Sequence, residues 1–174
     1  DIQHSSFTLA DEAVGFDLSD ATMASMTACE IQEATTLRLA AHSLEDVEIH
    51  QASGTTATAV YIEGDATLDD VLIYSANTAI KCVSGDATLT AISASSASTQ
   101  SCLNDPTYGI VVESGAQANA SNCTFNGFCT AARLNGSGVL YLRDTEIVDA
   151  GDNGVYLPGK TAIADLGWIL DPEV

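Results

Sequence analysis

Two acidic pairs are the first residues here with the makings of a reaction. Asp69-Asp70 stands in ATLDDVLIYS, and Glu45-Asp46 holds the equivalent place in SLEDVEIHQ, one segment earlier. If the two segments are neighbouring strands, these carboxylates stack about 5 Å apart. That spacing suits a Ca²⁺ ion, which takes oxygen ligands, or an acid and base working as a pair. The plainer reading is a solvated acidic face, since 24 Asp and Glu stand against five Lys and Arg. Ca²⁺ is the one cofactor these residues suggest.

Other chemistry finds less support. His4, His42 and His50 show no metal-ligand spacing and read as surface residues. No Gly-x-Ser-x-Gly elbow and no Gly-rich phosphate loop occurs. The five cysteines include no CxxC pair, which argues against zinc or redox roles. Cys29, Cys82 and Cys123 fall at inward positions, where a thiol acts as a small hydrophobe. A Cys102–Cys129 disulfide is the first choice of pairing, with Cys123–Cys129 as its competitor. Asn119-Ala-Ser121, Asn122-Cys-Thr124 and Asn135-Gly-Ser137 are glycosylation sequons. With the acidity and a disulfide, they favour an extracellular or cell-surface protein.

The elements that carry these residues are short and repeated. Leu68-x-x-Val71-x-Ile73 followed by Ala79-Ile80-x-Cys82 reads as two half-buried strands, closed by Gly85-Asp86. The first run recurs at Leu44, Leu89, Ala120 and Leu142. The second recurs at Phe16, Leu37, Val60, Ile110, Ala132 and Val155. From Phe16 onward the second run steps by 21, 23, 20, 30, 22 and 23 residues. A period near 22 with two or three strands per period is a solenoid period. The long step marks an inserted loop at about 93–108. Gly64-Asp65 and Gly85-Asp86 are expected to stack as a turn ladder, glycine supplying the unusual dihedral and Asp binding nearby backbone.

These repeats resemble the right-handed parallel β-helix proteins, the pectate-lyase-like superfamily with its surface and adhesin members. The resemblance spans the chain through pattern rather than through a diagnostic motif. It implies an all-β, right-handed parallel β-helix of about seven to eight coils and ~22 residues per coil. The whole of 1–174 then forms one domain, with a partial coil or cap at 161–174.

The resemblance also raises polysaccharide lyase or hydrolase activity. Against that stand a lack of Asn-Thr-Asp and Gly-His-Gly motifs and three arginines, Arg38, Arg133 and Arg143, in separate coils. With a net charge of −19, nucleic acid and anionic membranes are poor partners. No apolar run is long enough for a spanning helix. The expectation is a noncatalytic extracellular structural protein whose uncapped ends stack head to tail, with itself as partner. Trp168 is the candidate plug for a cap or for the next subunit. A carbohydrate-binding adhesin or tail-fibre module is the alternative.

Overall fold

In the computed structural model, residues 2–8, 25–34, 36–51, 57–96, 102 and 106–166 are described. Among them the regular structure is entirely β. The first coils are β1 (Ile2–Gln3), β2 (Ser6–Thr8), β3 (Ser25–Ala34), β4 (Leu37–Leu39), β5 (Ser43–Gln51) and β6 (Thr58–Ile62). The middle holds β7 (Ala66–Ala76), β8 (Thr78–Cys82), β9 (Asp86–Thr90), β10 (Ser93–Ser96) and β11 (Tyr108–Val112). The last coils are β12 (Gln117–Ser121), β13 (Thr124–Asn126), β14 (Thr130–Leu134), β15 (Val139–Arg143), β16 (Glu146–Val148), β17 (Asn153–Tyr156) and β18 (Ile163–Asp165).

Each of these strands pairs in parallel with the equivalent strand of the next coil, so the chain winds as a β-solenoid. One sheet follows the path β1-β3-β5-β7-β9-β12-β15-β18, and a six-stranded sheet runs β17-β14-β11-β8-β6-β4. In the latter, Leu37, Val60, Ile80, Ile110, Ala132 and Val155 lie in one column. These are the second-run residues that the spacing aligned. Leu44, Leu68, Leu89, Ala120 and Leu142 make the matching column on the other sheet. About six turns close within the described residues, against the seven to eight expected. Gly15-Phe16-x-Leu18, read as the second run of the first coil, and Trp168 lie outside the described residues.

The core is a narrow stack of aliphatic side chains with few aromatics. Leu68, Val71, Ile73, Ala79, Ile80 and Cys82 of one coil are all fully buried. They sit over Leu44, Val47, Ile49, Val60 and Ile62 of the coil before. Full burial of such an aliphatic side chain is worth about 1.5–3 kcal/mol, so each added coil supplies its own share of core. Phe125 and Phe128 are the bulky exceptions, both fully buried.

The Leu-x-x-Val gap has a backbone cause. His4, Ala28, Asp46, Asp70, Ala91, Asn122 and Asp144 all have φ between 47° and 53°. Register places the seven at one position on seven successive rungs of the sheet, which bound six turns. A left-handed residue there turns the strand through a corner, so side chains on both sides of it point inward despite the odd spacing. Asn and Asp tolerate this conformation best among non-glycine residues, and they fill four of the seven positions. The amides of His4, Ala91 and Asn122 turn along the solenoid axis and donate to carbonyls of the following coil at 3.0–3.1 Å.

Three expectations need correcting or refining. The insertion does not begin at Ser93: Ser93–Ser96 forms β10, paired with β7 on one side and β13 on the other. Ala94 supplies the buried rung there, between Ile73 and Phe125. His42 is not a surface residue but is buried, its Nδ1 accepting the Ala40 amide at 3.3 Å. In the turn ladder, Gly85 takes a positive φ of 74°. Gly64 serves differently, since a Cβ there would meet the Ala40 carbonyl oxygen at 2.8 Å. Asp65 does bind nearby backbone, accepting the Asp86 amide of the next coil at 3.0 Å.

Candidate functional site

The two acidic pairs occupy a corner. Glu45 and Asp69 are in register on adjacent strands β5 and β7. Asp46 and Asp70 follow them at the left-handed position. All four side chains are exposed. Asp46 and Asp70 therefore have a conformational reason to be Asp, independent of any ligand. Beside this corner lies an open groove of about 410 Å³ whose lining includes His42, Asp65, Thr67, Asp86 and Thr88.

A different trio brings donor atoms together. Past the corner, β3 and β5 present Glu30 and Glu48 in register on the outer face. His50 stands two residues after Glu48, on the same face. Ligand atoms of Glu30, Glu48 and His50 lie within 4.8 Å of one another, the one such group among the described residues. Nε2 of His50 is 2.6 Å from Oε1 of Glu48. The imidazole stacks on Tyr74 of the next coil, with ring centroids 4.7 Å apart and planes 18° from parallel. The Gln32 amide donates to the Glu30 carboxylate. The trio has no metal-ligand spacing in the sequence, because its ligands come from two coils. The usable signal was Glu48-x-His50, plus Glu30 at the equivalent strand position one coil back. That coil is short, with Met26 paired to Leu44, so a fixed period near 22 does not line the two glutamates up.

The cations gather on the other sheet. Arg38, Tyr61, Lys81, Val111, Arg133 and Tyr156 form one outward column across β4, β6, β8, β11, β14 and β17. Arg38 packs 5.0 Å from the centre of the Tyr61 ring, and Arg133 lies 5.3 Å from Tyr108 and 5.9 Å from Tyr156. Acids answer from the neighbouring turns, with Lys81 3.0 Å from Glu113 and Arg38 3.8 Å from Glu63. Partial burial alone would push the Glu113 carboxyl up. Hydrogen bonds from Asn135 and Lys81, with the charges of Lys81 and Arg133, outweigh it and hold the group below its ordinary value. Arg143, the third arginine, makes a two-pronged pair with Asp165 of the next coil.

The chain matches no family model, no curated protein and no solved structure. Its reading rests on its own geometry.

Of the remaining sequence-predicted residues, Cys102 and Cys129 form the disulfide given first preference, with Cα atoms 5.4 Å apart. It ties the inserted segment to the start of the following coil. Cys29, Cys82 and Cys123 are free and buried, and burial pushes the Cys82 thiol up to about 12. Asn119 lies within β12, half-buried, and Asn122 is an exposed corner residue. The Asn135 side chain bridges Arg133 and Glu113. At the C-terminal coil the inward residues Ile147, Val155 and Ala164 are only partly covered. Tyr156, Leu157, Ile163 and Leu166 are exposed there, the last two by more than half.

Proposed function

We propose that this chain is a noncatalytic structural protein of the cell exterior that stacks head to tail through its solenoid ends. The observation that carries this reading is the apolar C-terminal coil. Four of the five large exposed hydrophobics among the described residues, Tyr156, Leu157, Ile163 and Leu166, belong to it. The other end shows a milder version, with Ile2 and Phe7 only partly covered. In a parallel solenoid every coil offers the next the same strand direction and the same side-chain columns. The last coil of one copy is therefore complementary to the first coil of another. Such a contact is heterologous and propagates into a filament unless something stops it. The disulfide and the strong acidity support an extracellular setting. The pectate-lyase-like resemblance, which the parallel coils support at the level of architecture, contributes the surface-protein analogy. The noncatalytic part draws support from the arginines, whose guanidinium groups are engaged with Glu63, with Tyr108 and Asn135, and with Asp165.

The test is negative-stain imaging with light scattering at rising concentration. The expected result is filaments with a repeat of roughly 30 Å per subunit, from about six turns at about 4.8 Å each. Ile163→Lys with Leu166→Lys should abolish them. A wild-type chain that stays monomeric at every concentration overturns the proposal.

One observation favours a second reading, glycan binding. The column of Arg38, Tyr61, Lys81, Val111, Arg133 and Tyr156 gathers cations and aromatic rings on an otherwise acidic molecule, with Glu63 and Glu113 paired to Arg38 and Lys81. Stacking faces and guanidinium donors suit a carboxylated sugar chain. Binding of uronic-acid oligosaccharides that is lost in Arg133→Ala with Tyr156→Ala would favour it.

A further inference from the structure

We propose that Glu30, Glu48 and His50 bind one divalent cation of the Zn²⁺ class, bridging the coils of β3 and β5. The donor set decides the class. Two carboxylates and one imidazole nitrogen suit zinc and its neighbours, which accept mixed nitrogen and oxygen ligands in four-coordinate sites. Calcium needs six to eight oxygens and gains little from a histidine. The Glu45, Asp46, Asp69 and Asp70 corner is all oxygen, which separates the two places chemically.

Geometry supports the trio beyond its composition. All three donor atoms already lie within 4.8 Å of one another. Ligands around a metal with bonds of about 2.0–2.2 Å are separated by no more than twice that length. Small rotations of these half-buried side chains close the remaining gap. The imidazole plane is fixed from outside the trio by the Tyr74 ring stacked on it. Orienting a ligand in this way is what neighbouring groups do in established metal sites. The two glutamates face each other on adjacent strands, an arrangement that is destabilising for like charges. A cation between them removes that repulsion. The cationic residues on the opposite sheet, Arg38, Lys81 and Arg133, are paired with other partners. The bound ion clamps two consecutive coils on the face away from the Arg–Tyr column, with water completing its coordination. This inference is independent of end-to-end stacking, because the trio lies on the side of the solenoid.

The experiment is calorimetric titration of chelator-treated, redialysed full chain with ZnCl₂ at neutral pH. Co²⁺ is added in parallel to read ligand-field absorption. Wild type is expected to bind one equivalent, with affinity at least tenfold lower in His50→Ala and, separately, in Glu48→Gln. Glu45→Gln with Asp69→Asn should bind as wild type does. Circular dichroism melts establish that the variants are folded, and two separate ligand variants at half-buried outer-face positions guard against one failing. Three results overturn the proposal. They are no stoichiometric binding by wild type, unchanged binding in both ligand variants, and Ca²⁺ displacing Zn²⁺ at equal concentration.

Discussion

Removing the Cys102–Cys129 bond by changing both residues to Ala should lower stability by an amount the loop length sets. The bond closes a separation of 27 residues. The chain-entropy relation then gives about 12 cal/mol/K for the unfolded chain, or about 3.5 kcal/mol at 25 °C. A chain of this length unfolds with roughly 0.37 kcal/mol/K of entropy, so the melting temperature should fall by about 10 °C. The native contacts around the site limit further loss. The Cys129 amide keeps its bond to Thr107 Oγ1, 2.9 Å away, whatever side chain is present. The assay is urea unfolding followed by circular dichroism, with and without a phosphine reductant. Wild type should lose stability on reduction, while the double variant should be indifferent to it. Alkylation of denatured, unreduced wild type should label three thiols, those of Cys29, Cys82 and Cys123. Five labels, or a midpoint that reduction does not move, would refute the reasoning.

The corner ladder predicts opposite effects at equivalent positions. Ala91→Gly should gain up to about 1 kcal/mol by relieving a left-handed alanine, while Asp70→Val should lose about 1–2 kcal/mol; thermal melts of the two variants compare them directly. Val71→Asp places an unpaired carboxylate in a fully buried column and should lose the cooperative β-sheet melt altogether. A variant that melts like wild type sinks the assigned register. Glu113 adds a pH dependence. Its folded value lies below its ordinary 4.5, so its stabilisation is present above that pH and disappears as pH falls through the folded value. Glu113→Gln should therefore be less stable than wild type at pH 7, with the gap closing in acid, as read by melts from pH 7 to 3.

How much was legible in the sequence follows from what each feature depends on. The columns through Leu37 to Val155 were readable because a buried strand advertises its period, and even the 30-residue step from Ile80 to Ile110 kept its phase. The preferred disulfide was readable because Cys102 sits in the insertion and Cys129 in the next coil. The corner was half visible: Leu-x-x-Val marked where alternation broke, but a positive φ at Ala28 or Ala91 leaves no mark in residue type. β10 escaped because Ser93–Ser96 is polar and small, and it is a strand only because Ile73 and Phe125 flank Ala94. Glu30, Glu48 and His50 were hidden by the varying coil length, since a site assembled between coils has no fixed sequence spacing.

The partly covered last coil also sets where this molecule comes apart. In a solenoid each coil touches only its neighbours, so stability is a sum of local terms passed along the axis. Ile147, Val155 and Ala164 pack against the core but are only partly buried. Opening should therefore start there and travel inward, stepwise, until it meets the coil that Cys129 anchors. The molecule then behaves as a zip with a stop part-way along it. Its amide protons would exchange in a gradient, fastest at β18 and slowest among the layers of β5, β7 and β8, instead of all at once.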